Sequence, residues 1–181
     1  MARIQRHRRY RAFKYFCIIY ILIIGIGYLG IKEFRKSYII NISDSITKGV
    51  YRLTDMKEED YIKGTIVQFP IPSNAEEYIH GRNYLPKNVK TLSKMILGVN
   101  GDKIEIRSSG NRKVLYINDN SVGGVSKYDG LGLPIPQMES KVLEENEFFV
   151  YGIHPKSFDS RYFGTIKKED ILKKATLVFS F

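Results

Sequence analysis

The chain has 181 residues, 43% of them hydrophobic and 27% charged, which suits one ordinary domain with an appendage and excludes two full domains or a disordered chain. Its formal net charge of +10 first suggests a nucleic-acid binder, but the placement of the charge excludes that reading. Arg3, Arg6, Arg8, Arg9, Arg11 and Lys14 put +6 into residues 1–14 without one acid, and everything after them carries only +4.

The basic tail leads into an apolar run. Residues 15–31 hold no charge, and Lys14 and Lys32 bound them. At about 1.5 Å per residue this run just spans a hydrocarbon core of about 30 Å, and the flanking lysines can snorkel to the headgroups. It has no polar stripe, which a helix of a soluble core would show. Six positive charges precede the run, whereas residues 32–36 carry three positive charges offset by Glu33, so the tail is expected to stay in the cytoplasm. The expected organisation is a basic cytoplasmic tail at 1–14, a transmembrane signal anchor at 15–32 and an extracytoplasmic domain at 33–181. A cleaved signal peptide is the competing reading. The run is long for one, no Ala-x-Ala site follows it, and Gly25-x-Gly27 lies inside it, so an uncleaved anchor is preferred. The tail is also placed to touch anionic lipid.

From residue 37 onward the pattern is of short strands between turns. Strands are expected at 38–42, 49–53, 65–69, 103–107, 113–117, 121–125, 147–151, 162–166 and 175–179. Asp119-Asn120 reads as a hairpin turn, and 74–79, 91–95 and 168–172 read as short helices. About 145 residues suffice for a mainly β domain with a real core, built from packed or closed sheets. The lone cysteine, Cys17, lies in the apolar run, so this domain has no disulfide and no thiol nucleophile. His7, His80 and His154 are scattered, and neither a metal site nor a cofactor is expected. His154 reads as a loop histidine with local contacts rather than a catalytic base.

Three segments carry groups capable of chemistry. In Asn41-Ile42-Ser43-Asp44-Ser45-Ile46-Thr47-Lys48-Gly49-Val50-Tyr51, two serines near a glycine suit a turn that presents a hydroxyl, or simply a polar loop. In Leu92-Ser93-Lys94-Met95-Ile96-Leu97-Gly98-Val99-Asn100-Gly101-Asp102, a lysine sits among apolar residues. If buried it loses hydration of its charged form and can act as a neutral base near pH 7; otherwise it snorkels to solvent. In Gly152-Ile153-His154-Pro155-Lys156-Ser157-Phe158-Asp159-Ser160-Arg161-Tyr162-Phe163-Gly164, Asp159 and Arg161 can pair and Ser157 and Ser160 offer hydroxyls, or the stretch is simply a polar turn before a strand.

In this order and behind an apolar segment, the three resemble the signal peptidase family of serine-lysine proteases, and more narrowly the conjugative-transfer signal peptidases of the TraF type. The block from Ser157 to Gly164 is the most specific signal. Lys94 with Gly98 and Gly101-Asp102 resembles the family's general-base block. The narrower assignment uses Asn41-x-Ser43-x-Ser45 with Gly49-x-Tyr51, Gly81-Arg82-Asn83-Tyr84-Leu85 and Gly132-Leu133-Pro134-Ile135-Pro136. Ile46 and Thr47 depart from the family's methionine and nearby proline.

The resemblance implies a coiled, barrel-like β-sheet protease domain behind one transmembrane helix. It makes Ser45 the nucleophile and Lys94 its general base. Ser43 would help hold the oxyanion, Ser157 would orient the lysine, and Asp159 with Arg161 would support the site. The implied partners are a precursor protein, a pilin or another signal-peptide-bearing chain, together with membrane lipid and the conjugation machinery, with no nucleic acid. A general secretory signal peptidase and a non-catalytic anchored scaffold are the alternatives.

Overall fold

A long run of uncharged Ile, Leu, Phe and Tyr can satisfy its backbone in hydrocarbon only by forming a helix. The computed structural model contains that helix, α1 (Ala2–Ser37). The structure describes residues 2–181, with side chains from Phe13 on; Met1 and the cationic side chains of the basic tail, Lys14 excepted, lie outside the described residues. Within α1 the 25 residues Phe13–Ser37 are long and apolar enough to cross a membrane. They cover about 38 Å at about 1.5 Å per residue. Apolar side chains such as Leu22, Ile23 and Ile26 stay exposed on every face, as a lipid-facing helix requires. The helix extends past Lys32 because Lys, Glu and Arg leave hydrocarbon but remain good helix formers. The chain divides into one unit through Tyr38 and a second, Ile39–Phe181.

The second unit is mainly antiparallel β-sheet. Its strands are β1 (Tyr38–Asn41), β2 (Gly49–Thr54), β3 (Ile66–Pro70), β4 (Thr91–Gly98), β5 (Lys103–Ser109), β6 (Arg112–Ile117), β7 (Asn120–Val125), β8 (Lys141–Val142), β9 (Glu147–Tyr151), β10 (Ile166–Lys167) and β11 (Lys173–Ser180). Seven form one sheet in the order β1-β2-β11-β3-β4-β9-β10, and four form another in the order β7-β6-β5-β8. Strand β9 is buried on both faces. Phe148 and Val150 join Val67, Phe69, Ile96 and Phe163 in one core, and Phe149 joins Ile104, Leu115 and Leu143 in the other. A third, smaller core gathers Ile46, Tyr51 and Ala175.

Several local expectations are corrected. Residues 91–95 are not a helix but the first half of β4, which pairs with β3 on one side and β9 on the other. Its burial alternates, with Leu92, Lys94, Ile96 and Gly98 facing inward. A lysine at an inward position hides the period of two that marks a strand. Residues 162–166 are not a strand. Ser160–Phe163 form one helical turn, α3, because the Asp159 carboxylate caps it by accepting from the Arg161 N–H, and β10 begins only at Ile166. Residues 168–172 hold a single tight turn at Lys168–Asp170 before β11. The hairpin turn sits one residue early, on Asn118 and Asp119, both with positive φ as a primed turn demands. At 74–79 the helix is real but short, α2 (Ser73–Glu76), followed by a wider turn over Glu77–Gly81.

After β4 the chain reverses at Gly101, whose φ of +83° suits glycine. Asp102 locks this reversal by accepting from the Val99 N–H at 2.8 Å, from Lys63 at 2.8 Å and from Asn118 at 2.7 Å.

Strand β9 joins the two larger cores, and Phe149 is its contribution to the second. Phe149→Ala is expected to cost about 3–5 kcal/mol of unfolding free energy. Urea unfolding followed by circular dichroism measures it, and a loss below about 1 kcal/mol would contradict the double burial of β9.

Candidate active site

Ser45 lies in the turn between β1 and β2, half-buried. That turn is held from several directions. The Asn41 amide donates to the carbonyls of Ser43, Ile46 and Thr47 at 2.9, 3.0 and 3.1 Å. The Tyr51 hydroxyl donates to the Thr47 carbonyl at 2.7 Å, and Ile46 is sunk in the third core. The Ile153 N–H donates to the Ser45 carbonyl at 2.9 Å, which ties the turn to the loop after β9.

Lys94 enters from β4, flanked on the same face by Leu92 and Ile96, and is 4% exposed. Its Nζ donates to Ser45 Oγ at 2.7 Å and to Ser157 Oγ at 2.6 Å, and the two hydroxyl oxygens lie 3.1 Å apart. Burial pushes the lysine pKa down from 10.5 to about 8; the Asp159 carboxylate pulls it up and the Arg161 guanidinium pushes it down. About a tenth of such an amine is neutral at pH 7. A neutral Nζ can accept the Ser45 proton while donating to Ser157.

Ser157 is buried, and its N–H donates to the His154 carbonyl at 2.9 Å. The Asp159–Arg161 pair is fully buried and bidentate, with Nε to Oδ1 at 2.8 Å and Nη2 to Oδ2 at 2.7 Å. Its remaining bonds brace the loop. Arg161 donates to the carbonyls of Ser157 at 3.1 Å and Gly124 at 2.9 Å, and Asp159 accepts from the Gly152 N–H at 2.9 Å. The arginine also lies over the Tyr151 ring, 4.6 Å from its centre.

The structure therefore brings Ser45, Lys94 and Ser157 into mutual contact and sets Asp159 and Arg161 behind them. Ser43 stands apart: it is exposed, and its hydroxyl donates to Asn41 Oδ1 at 2.7 Å. To meet an oxyanion it must turn away from Asn41. His154 makes a local contact, its Nδ1 accepting from the Lys156 N–H at 3.2 Å, and His80 pairs with the Val89 carbonyl at 3.0 Å.

Sequence reasoning gave Gly152, the first residue of the third segment, no role. A Cβ placed there would lie 1.9 Å from Ser157 Oγ and 3.2 Å from Lys94 Nζ. The spacing signal was a glycine directly after β9, which also suits an ordinary turn. Asn41 was quoted only as part of a motif, yet its amide organises the whole Ser45 turn.

The chain is similar to several known proteins. A family model described as "Signal peptidase, peptidase S26" matches residues 10–180. Conjugal transfer protein TraF of Agrobacterium tumefaciens (strain 15955) is 28% identical over 152 residues, covering 80% of this chain and 83% of that protein. Plasmid transfer protein TraF of Escherichia coli is 30% identical over 143 residues, covering 74% of this chain and 77% of that protein. Among solved structures, a signal peptidase I from Enterococcus faecalis V583 is 25% identical with a TM-score of 0.40, covering 68% of this chain and 100% of that one.

A buried lysine should leave a thermodynamic trace. The amine binds a proton less readily in the folded chain, pKa about 8, than in the unfolded chain, 10.5. Stability then rises as pH climbs through that window, and below it the penalty is fully present at about 3 kcal/mol. Lys94→Met, which keeps the volume and removes the charge, should be the more stable protein at pH 7, with the gap closing toward pH 10.5. Urea midpoints of both proteins across this range test it; parallel curves would place the amine in water.

Proposed function

Because this chain belongs to the signal peptidase family, peptidase S26, we propose that it is a membrane-anchored serine endopeptidase in which Ser45 and Lys94 form the catalytic dyad. The observation that supports this most is the 2.7 Å contact between Ser45 Oγ and the amine of the buried Lys94. A serine hydroxyl becomes nucleophilic only when a base removes its proton, and a desolvated lysine does this without a histidine. In the proposed cycle Ser45 Oγ attacks the scissile carbonyl as its proton passes to Lys94 Nζ. The resulting ammonium protonates the leaving amine, which departs and leaves an acyl ester on Ser45. Neutral Lys94 then takes a proton from water, which attacks the ester, and the ammonium returns a proton to Ser45 Oγ. The backbone N–H of Ser45 and the turned hydroxyl of Ser43 stabilise the oxyanion. Ser157 orients the amine, and Asp159 with Arg161 holds Ser157.

The location we infer is the outer face of a bacterial cytoplasmic membrane, with residues 1–14 as a cytoplasmic tail, 15–32 as the anchor and 33–181 outside. An apolar helix with a peptidase-family domain fits a membrane protein, and the excess of positive charge before the apolar run supports this orientation. Near the Ser45 turn, Ile40, Ile42, Val178, Phe179 and Phe181 are exposed, and the Phe181 N–H reaches the Lys48 carbonyl at 3.4 Å. Such an apolar rim suits a site that works at a bilayer surface. The relatives are conjugal and plasmid transfer proteins. We therefore infer that the substrate is a membrane-targeted precursor used in conjugal transfer, a pilin precursor by family resemblance, cut after small residues.

Ser45→Ala and Lys94→Ala are each expected to lower processing of a co-expressed pilin precursor by at least about 10³-fold, and Ser43→Ala by about 10²–10³-fold. Wild-type rates in the Ser45 and Lys94 variants, followed by precursor-to-product ratio on gels, would overturn the dyad. Gly152→Ala should cut the rate strongly while the fold survives, because the added methyl displaces Ser157 from the amine. The kcat/KM profile should rise with pH on a limb centred near 8, where Lys94 loses its proton. A limb near 10 would mean a solvated lysine.

A further inference from the structure

One large cleft has no part in this chemistry. It measures about 1090 Å³, and Tyr84, Val125, Ile135, Phe158 and Tyr162 supply its apolar and aromatic walls. Neither Ser45 nor Lys94 lines it, but Pro155, Lys156 and Phe158 do, so it lies against the loop that carries Ser157. Its lining also carries Arg82, Arg112, Lys113, Lys127 and Lys156 against a single acid, Asp129.

That acid is already engaged. Asp129 accepts from the Tyr84 hydroxyl, from Arg82 at 2.8 Å and from the N–H groups of Leu131 and Leu133 at 2.8 and 2.9 Å. The Tyr84 hydroxyl above all, with the Leu133 N–H, Arg82 and the Leu131 N–H, holds its carboxyl well below the usual carboxylate range. Asp129 therefore offsets Arg82 and leaves the rest of the rim cationic. Among the described residues, Arg112, Lys127 and Lys156 make no ion pair, and all three are exposed. One wall is the end of β7 and the residues just after it, Gly124 to Ser126, and β7 is the outer strand of the four-stranded sheet. An edge strand, aromatic faces and unpaired cations together fit an extended peptide that carries carboxylates better than they fit a compact ligand.

We propose that this cleft is an exosite for an acidic, extended stretch of the polypeptide to be cut, lying away from the scissile bond. The proposal rests on the endopeptidase reading above for the identity of its ligand. The shared loop gives it a consequence: a chain held in the cleft passes beside residues 155–158, next to the hydroxyl that contacts Lys94. Each exposed ion pair shifts affinity only about two- to fivefold, so the three unpaired cations together should give a preference on the order of tenfold.

The test uses the full chain in detergent with Ser45→Ala to prevent cutting. A dye-labelled decapeptide rich in glutamate and its glutamine counterpart are titrated by fluorescence anisotropy. The glutamate peptide should bind about tenfold more tightly, and the difference should shrink as salt rises. Adding Arg112→Ala, Lys127→Ala and Lys156→Ala should bring the ratio of the two affinities close to one. Equal affinities in the protein without these three changes would overturn the proposal. So would a triple variant that keeps the preference but loses binding to phosphatidylserine vesicles, which would make the rim a lipid contact. In a second arm the same stretches are fused behind a processed precursor, and the ratio of kcat/KM for the two fusions should collapse in the triple variant on the catalytically intact chain. If that intact chain cuts neither fusion, the endopeptidase reading fails, while the anisotropy comparison still decides the cleft by itself.

Discussion

The burial of one amine organises the second unit of this protein. Lys94 occupies an inward position of β4 that the strand's alternation would otherwise assign to an aliphatic residue, between Leu92 and Ile96. Desolvation disfavours its charged form, and among the described residues two hydroxyls, those of Ser45 and Ser157, receive its hydrogen bonds. A strand is well suited to this task. β4 is paired on both sides, so its backbone cannot shift to carry the amine back to water. The same pairing fixes the height at which Nζ meets the two hydroxyls that approach it from separate loops.

The loop of Ser157 has a brace of its own. The Asp159–Arg161 pair is fully buried, and its side chains also bond the Gly152 N–H and the carbonyls of Ser157 and Gly124. Removing either partner would leave a bare charge in the interior, which is far more costly than the pair's own net contribution. The two charges also act on Lys94 in opposite senses, the carboxylate raising its pKa and the guanidinium lowering it. They leave burial as the dominant influence on the amine. Through the Gly124 carbonyl the arginine reaches β7, so the four-stranded sheet is tied to the loop of Ser157 and to the basic cleft beside it.

Family membership and geometry carry different parts of the functional reading. The match over residues 10–180 places the chain among the signal peptidases, and its relatives include conjugal and plasmid transfer proteins. Neither says which atoms meet. The contacts among Ser45, Lys94 and Ser157 supply that.

Some of this was legible in the amino-acid order alone. Uncharged stretches and charge runs need no tertiary partner to be read, so the apolar helix, the basic tail and most strands could be located from composition and period. The three motif segments were also visible, because they are contiguous. The order of residues did not disclose that 91–98 is a strand, since the buried lysine breaks its apolar alternation and resembles a surface position. Nor did it reveal α3, whose single turn exists because Asp159 caps it while held by Arg161 and Gly152. Gly152 was silent for the same reason: its lack of a side chain matters only against Ser157 Oγ, which arrives from five residues further on after the loop closes. Local chemistry thus determined the apolar helix and the supply of hydroxyls and amine. Tertiary packing alone decided that the amine is dry, because desolvation depends on every neighbour that excludes water and not on the residues adjacent in the chain.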